Sequence, residues 1–139
     1  MTYGTEDLPR VAADLLATYG RTRVYALVGD LGAGKTTLVA ECCRQLGVTE
    51  STSSPTYSLV NQYPTPEGTI FHLDCYRLES VEEALGAGLE ELFAENDAAT
   101  FFVEWPAVIE DLLPANTVVL RLEHNGLDQR HMSVETLSE

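Results

Sequence analysis

One glycine-rich stretch limits what this chain can fold into more than any other part of its sequence. Residues 29–36 read GDLGAGKT and match the pattern G-x-x-x-x-G-K-[ST]. The stretch follows an apolar run at 24–28 and opens a helical pattern over 35–46, the strand–loop–helix context of a phosphate-binding loop, or P-loop. Glycines let such a loop close on an anion, and amides at the helix N-terminus point towards it. We therefore predict that Lys35 reaches the β- and γ-phosphates of a nucleotide and that the Thr36 hydroxyl binds Mg²⁺.

Charge and composition restrict the partners of this site. The 139 residues include 22 acids and 8 bases, which gives a net charge of −14, and Lys35 is the only lysine. A broad contact with nucleic acid needs clustered Lys and Arg, so we expect no direct nucleic-acid binding by this chain alone. A hydrophobic content of 45% over this length predicts one globular domain, 1–139.

Cysteine usage and the lack of targeting signals suggest a compartment. The three cysteines, Cys42, Cys43 and Cys75, show no C-x-x-C spacing, which predicts neither a disulfide framework nor a zinc site. The sequence shows no signal peptide and no apolar run of membrane length. We therefore expect a cytoplasmic protein with buried thiols and no membrane contact.

The spacing of apolar residues predicts a three-layer α/β protein in which a parallel sheet is extended by antiparallel strands. Helices are expected at 5–19, at 35–46, at 78–93 with breaks at Gly86 and Gly88, and at 107–113. Strands are expected at 23–28, 57–63, 69–74, 99–103, 117–123 and, as an edge strand, 130–137. The second and third of these strands are expected to form an antiparallel hairpin.

Two of the predicted strands end in an acid. Asp74 closes one and Glu104 closes the other, and ligands of open α/β sheets collect at the carboxyl ends of the strands. Glu104 follows a continuous apolar run, which makes it the better candidate for a metal-side carboxylate. Either acid could instead be only solvated, and an Asp at a strand end often serves a turn. His72 shares a strand face with Asp74, and a lone His there is more typical of a structural or supporting role than of catalysis.

Three further features have more than one interpretation. The polar loop Ser51–Tyr57 lies one helix beyond the P-loop, where GTPases carry a loop that γ-phosphate and Mg²⁺ order, yet its composition also fits an ordinary surface loop. Trp105, the only tryptophan, belongs either to the core or to a cover over the nucleotide or a partner. Arg77, and more weakly Arg130, are candidates for pairing with a carboxylate or a phosphate.

Four motifs in fixed order give the chain a resemblance to a known family. They are GDLGAGKTT at 29–37, SPTY at 54–57, HLDCYRL at 72–78 and EWP at 104–106. Together they resemble the TsaE family, also called YjeE, over nearly the whole chain. The resemblance implies a P-loop NTPase-like fold, ATP and Mg²⁺ as cofactors, and ATP hydrolysis that is weak in the protein alone. It also implies action with TsaD and TsaB, which transfer a threonylcarbamoyl group to N6 of adenine 37 in tRNAs that read ANN codons. The tRNA would be met only through that complex.

The same resemblance implies roles for particular residues. Lys35, Asp74 and Glu104 would be catalytic, with Asp74 orienting or deprotonating the attacking water. Thr36 and Glu104 would hold Mg²⁺, directly or through water. The nucleotide would be bound by a larger set of residues: Thr5 at the adenine, Leu31, Gly32, Ala33, Gly34, Lys35, Thr36 and Thr37 around the phosphates, and Trp105 and Arg130 beside the site.

Two other functions fit a P-loop and remain open at this point. A small nucleotide kinase would need an arginine-bearing lid, and the seven arginines form no Arg-rich segment after the P-loop helix. A nucleotide-gated binding module would use ATP to order the Ser51–Tyr57 loop, and hydrolysis would be incidental.

Overall fold

A seven-stranded mixed sheet forms the centre of the computed structural model, which describes residues 1–21, 24–30, 32–49, 59–126 and 128–137. The strands are β1 (Thr2–Gly4), β2 (Val24–Val28), β3 (Val60–Thr65), β4 (Gly68–Asp74), β5 (Thr100–Glu104), β6 (Val118–His124) and β7 (Gln129–Thr136). Their order across the sheet is β1-β7-β6-β2-β5-β4-β3. The inner strands β6, β2, β5 and β4 are parallel, whereas β3, β7 and β1 pair antiparallel with their neighbours. The predicted parallel sheet with antiparallel additions is confirmed.

Helices cover both faces of this sheet. They are α1 (Leu8–Tyr19), α2 (Lys35–Gln45), α3 (Val81–Gly86) and α4 (Leu89–Glu95), with 3₁₀ turns at Thr5–Asp7 and Pro106–Leu112. The helix expected at 78–93 does divide at Gly86–Gly88, and the Ser80 hydroxyl accepts the amide of Glu83 at 3.3 Å as its cap. Within the described parts of the chain, no helix has the length and apolar character needed to cross a bilayer.

Two apolar cores, one on each face, hold the three layers together. On one face, α1 and α2 pack against side chains such as Leu27, Phe102 and Leu120. On the other face, α3, α4 and the 3₁₀ turn Pro106–Leu112 pack against Phe101 and its neighbours. Strands β2 and β5 are buried along almost their whole length, which explains their continuous apolar sequences.

The structure differs from the sequence prediction at the sheet edge. Strand β7 is not an edge strand, because the short N-terminal strand β1 pairs with it and forms the edge. Three residues are too few to show the alternation by which strands are recognised. The segment predicted as a helix at 107–113 is a kinked 3₁₀ turn. The Glu83 carboxylate accepts the amide of Glu79, just before the Ser80 cap.

The sheet topology brings the predicted acids together. In the register of β4 and β5, Asp74 lies directly opposite Glu104. Strand β5 also pairs in parallel with β2, the strand that leads into the glycine-rich stretch. Both acids therefore lie at the carboxyl edge of the sheet beside the start of α2, the edge where open α/β sheets bind ligands.

Candidate functional site

The loop between β2 and α2, residues 29–34, is called the glycine loop below; its residue Leu31 lies outside the described residues. A Cβ at Gly29 would lie 2.5 Å from the carbonyl oxygen of Leu122 on β6, so only glycine allows this close approach. Gly34 starts α2 with φ 96°, a left-handed conformation that glycine adopts without strain. The first turn of α2 thus begins directly above the sheet edge that carries Asp74 and Glu104.

Lys35 lies inside this loop. The side chain is 5% exposed, and its Nζ donates to the carbonyl oxygens of Gly29 and Asp30, the latter at 3.3 Å. Burial lowers the pKa of the Lys35 ammonium, while the carboxylates of Glu104, Asp74 and Asp30 act in the opposite direction. The loop carbonyls satisfy the ammonium with oxygen acceptors, which is the kind of partner that a phosphate would offer.

Glu104 connects the first turn of α2 with strand β4. Its side chain is almost fully buried, and its Oε1 accepts the hydroxyl of Thr36 at 2.9 Å. Its Oε2 lies 2.6 Å from Nε2 of His72, which is 0% exposed. A buried carboxylate needs such hydrogen bonds to remain in the interior. The two residues predicted to hold Mg²⁺, Thr36 and Glu104, are therefore in direct contact.

Asp74 and the residues after it form the outer wall of the site. The Asp74 carboxylate accepts the amide of Tyr76 at 3.0 Å, so this acid does serve a turn. It also lines a cavity of about 350 Å³ together with Lys35, Glu104 and members of the glycine loop and α2. The turn and the cavity are compatible roles, because the second carboxylate oxygen is not needed for the turn.

Trp105 closes the cavity from the side of β5. Its backbone has φ 56° and ψ 58°, a left-handed conformation that is a genuine outlier for a bulky residue. Its ring lies 3.7 Å from the Nζ of Lys35 and contacts the half-exposed ring of Tyr76, with 4.9 Å between ring centroids. Strain of this kind persists where the surroundings require it, commonly at functional sites. Trp105 therefore serves as a cover over Lys35 rather than as ordinary core.

A smaller cavity of about 70 Å³ adjoins the same loop on the side of β1 and β7. It brings Thr5 and Arg130 together with Gly34 and Thr37, although these residues are far apart in sequence. The Nη2 of Arg130 donates to the carbonyl of Gly32 at 3.3 Å. Its Nε is buried with no hydrogen-bond partner among the described residues. The arrangement places a guanidinium over the start of α2.

The predicted site residues thus fall into three groups. Most of them line one of the two cavities: Thr5, Gly32, Gly34, Lys35, Thr36, Thr37, Asp74, Glu104, Trp105 and Arg130. Ala33 lines neither cavity; its side chain is buried and its amide donates to Asp30. Leu31 and the Ser51–Tyr57 loop lie outside the described residues.

Some residues at the site were not identified from the sequence. Tyr76 and Asp128, which line the two cavities, had not been named as candidate site residues. His72, which the sequence placed beside Asp74 in a structural or supporting role, contacts Glu104. Tyr76 had a recognisable signal, since an aromatic residue two positions after the strand-end acid Asp74 lies near the ligand edge of the sheet. Asp128 had none, because its position depends on the pairing of β7 with β1.

The fold and the site together define an α/β protein whose glycine loop and strand-end acids meet at the carboxyl edge of a mixed sheet. A family model described as "Threonylcarbamoyl adenosine biosynthesis protein TsaE" matches residues 2–132. This chain therefore belongs to the TsaE family, and the resemblance drawn from the four motifs is confirmed.

Individual relatives agree with this assignment. A Rickettsia bellii protein named tRNA threonylcarbamoyladenosine biosynthesis protein TsaE is 36% identical over 126 residues, which is 90% of this chain and 85% of that protein. The Bacillus subtilis protein of the same name is 34% identical over 125 residues, 89% of this chain and 77% of its relative. The crystal structure of Bacillus subtilis YdiB matches with a TM-score of 0.67 and 25% identity, covering 100% of this chain and 86% of that one.

Proposed function

We propose that this protein is a Mg²⁺-dependent ATPase that acts with TsaD and TsaB in the threonylcarbamoylation of N6 of adenine 37 in tRNAs that read ANN codons. ATP hydrolysis drives turnover of the complex. The family membership and the names of the relatives support the pathway. The observation that carries the ATPase is the meeting of Lys35, Thr36, Asp74 and Glu104 around one cavity beside the glycine loop.

The residues present fit a nucleoside triphosphate. Lys35 already holds oxygen acceptors inside the loop, and its ammonium would exchange the carbonyls of Gly29 and Asp30 for phosphate oxygens. The buried Nε of Arg130, which has no partner among the described residues, supplies a second donor next to Gly34. Thr5 lies in the same small cavity, where a base or ribose would extend from the phosphates.

The residues present also fit Mg²⁺. The Thr36 hydroxyl and the Glu104 carboxylate are oxygen donors in contact, and Mg²⁺ prefers one or two such ligands combined with phosphate oxygens and water. The ion would neutralise the charge that develops on the transferred phosphoryl group. Asp74, opposite Glu104 in the sheet, would orient the attacking water and accept its proton. Trp105 and Tyr76 would keep bulk water from the phosphates.

The charge of the chain supports an indirect role at tRNA. A net charge of −14 opposes binding to a polyanion, whereas the local positive groups lie at the glycine loop. We therefore propose that TsaD and TsaB present the tRNA, and that this protein works in the cytoplasm, where tRNAs are modified.

Reconstitution tests this function. Purified TsaD, TsaB, tRNA, the threonylcarbamoyl-adenylate donor, ATP and Mg²⁺ are combined with and without this protein, and modified tRNA is counted per complex. We expect a single round of modification without the protein and many rounds with it. Modification that continues at the same rate in its absence would contradict the proposal.

A further inference from the structure

His72 is a fully buried histidine that touches the candidate metal-side acid. Strands β4 and β5 place His72 opposite Phe102 and Asp74 opposite Glu104. His72 therefore reaches Glu104 diagonally, from two residue pairs further back, on the sheet face that packs against α2. A leucine would fill such a position without requiring any hydrogen bond, so apolar packing alone does not explain an imidazole there.

The surroundings of the ring determine which nitrogen carries the proton. Nε2 lies 2.6 Å from a carboxylate oxygen of Glu104, which can only accept when it is ionised. Nδ1 is buried and has no hydrogen-bond partner among the described residues. A proton on Nδ1 would be a buried donor without an acceptor, which folded proteins avoid. The hydrogen-bond partners thus assign a proton to Nε2, which donates to Glu104.

The two oxygens of Glu104 consequently have different tasks. Oε2 accepts from His72, and Oε1 accepts from the hydroxyl of Thr36. The imidazole prevents rotation of the carboxylate and leaves Oε1 beside Thr36, the pair of oxygens that would hold Mg²⁺. Hydrogen bonds of this outer kind orient metal ligands in many proteins.

We propose that His72 is a positioning residue that holds Glu104 in its Mg²⁺-binding orientation. This inference rests on the proposed function, because it concerns the metal of the same site. It predicts that losing the Nε2 donor weakens binding of Mg²⁺ and leaves the metal-independent contacts with the nucleotide intact.

Metal-dependent binding of a non-hydrolysable ATP analogue, AMP-PNP, tests the proposal. Its Kd is measured against free Mg²⁺, and in EDTA, for the wild type, His72→Leu and His72→Gln. Leucine fills the space without a donor, whereas the amide nitrogen of glutamine reaches the place of Nε2. Mg²⁺ should increase the affinity for AMP-PNP in both proteins. We expect the Mg²⁺ concentration that gives half of this increase to be about 10–100-fold higher for His72→Leu than for the wild type. The Kd of His72→Leu in EDTA should not change, and His72→Gln should recover most of the loss.

Thr100→Val is the matched control. Thr100 is buried at the opposite end of strand β5 from Glu104, and its hydroxyl donates to the carbonyl of Arg21. The variant removes one buried hydrogen bond, so its melting temperature should fall while its Mg²⁺ requirement stays at the wild-type value. An increased Mg²⁺ requirement in Thr100→Val would show that general loosening of the sheet explains the His72 result, and would overturn the proposal.

Two other results would also overturn it. If His72→Leu and the wild type respond equally to Mg²⁺, His72 has no positioning role although the proposed function stands. If the wild type gains no affinity from Mg²⁺, the proposed function and this inference fall together. Long-range ¹H–¹⁵N NMR of the imidazole gives a reading independent of nucleotide: we expect the Nε2–H tautomer, and an Nδ1–H tautomer contradicts the assignment.

Discussion

The two ends of the parallel sheet carry cavities of equal size and different chemistry. The cavity at the carboxyl end has a volume of about 350 Å³ and is lined by Lys35, Asp74 and Glu104 among others. The cavity at the amino end has the same volume, about 350 Å³, and is lined largely by apolar side chains such as Val24, Phe93 and Phe101. Volume alone therefore does not distinguish a functional site from a packing gap.

What separates the two ends is the burial of ionisable groups. At the carboxyl end, Lys35 and Glu104 are nearly removed from water and depend on partners within the protein. Burying such groups is unfavourable unless they are paired and hydrogen-bonded. The amino end has the exposed acid Asp97, which remains in solvent. A site that carries out chemistry is thus recognised by charges held where packing alone would not place them.

The largest difference between the ends should appear in ATP hydrolysis. Glu104→Gln removes the negative charge of the metal-side carboxylate and keeps its size. We expect the rate of phosphate release at saturating ATP and Mg²⁺ to fall by on the order of 10²–10³-fold, the loss typical of removing one preorganised electrostatic group. Asp97→Asn, the same type of change at the amino-end cavity, should leave the rate unchanged. Unchanged hydrolysis in Glu104→Gln would show that the Glu104 carboxylate has no role in ATP hydrolysis.

A somewhat smaller effect is expected for nucleotide binding. Lys35→Met keeps the length of the side chain under Trp105 but removes the ammonium. Losing hydrogen bonds to a charged group should weaken ATP binding on the order of 100-fold in calorimetry. Because burial already lowers the pKa of Lys35, the fold should not lose stability in this variant. A variant that binds ATP as tightly as the wild type would show that the ammonium does not contact phosphate.

The amino end should show the reverse pattern. Phe93 is buried there and its ring packs against Phe101 with 5.0 Å between centroids. Phe93→Leu leaves part of this volume empty, and we expect the free energy of unfolding in urea to fall by about 1 kcal/mol. The Kd for ATP should stay at the wild-type value. A change in Kd instead would mean that the two ends are coupled through the sheet.

Local sequence patterns explain which parts of the molecule could be predicted. The glycine loop, strand β2, helix α2 and the acids at the ends of β4 and β5 follow from residues close together in the chain. Each of these features combines a turn requirement with an apolar run, so its position in the chain could be predicted from the sequence alone. The same reasoning located the break between α3 and α4 at Gly86–Gly88.

Contacts between distant residues could not be predicted in this way. The bond from His72 to Glu104 spans 32 positions, and the bond from Arg130 to Gly32 spans 98. Both depend on the strand order, which places β4 beside β5 and folds the β6–β7 hairpin next to the glycine loop. Strand β1 was missed for a similar reason, because its stability comes from pairing with β7 rather than from its own three residues.

The smallest expected effect concerns thiol chemistry beside the charged site. Cys75 directly follows Asp74, yet it is 2% exposed, and burial, assisted by the charge of Asp74, raises its thiol pKa from 9.0 to about 12. Cys42 and Cys43 on α2 are similarly buried, and burial is the main cause that raises the pKa of each thiol to about 12. All three should therefore resist a disulfide reagent such as DTNB at pH 8 in the native protein and react fully in urea. Rapid labelling of Cys75 alone would show that the carboxyl end is open to solvent.

The raised pKa of Cys75 also predicts a direction for stability at high pH. Above pH 9 the thiol of the unfolded chain loses its proton, while the folded chain keeps it until about pH 12. The unfolded state then binds fewer protons, so the free energy of unfolding falls as pH rises, by up to about 1.4 kcal/mol per pH unit for one thiol. Cys75→Ala should show a shallower fall between pH 8 and 10.5 than the wild type in urea titrations. Identical slopes would mean that the thiol ionises in the folded protein, and the carboxyl end would then be wetter than its packing indicates.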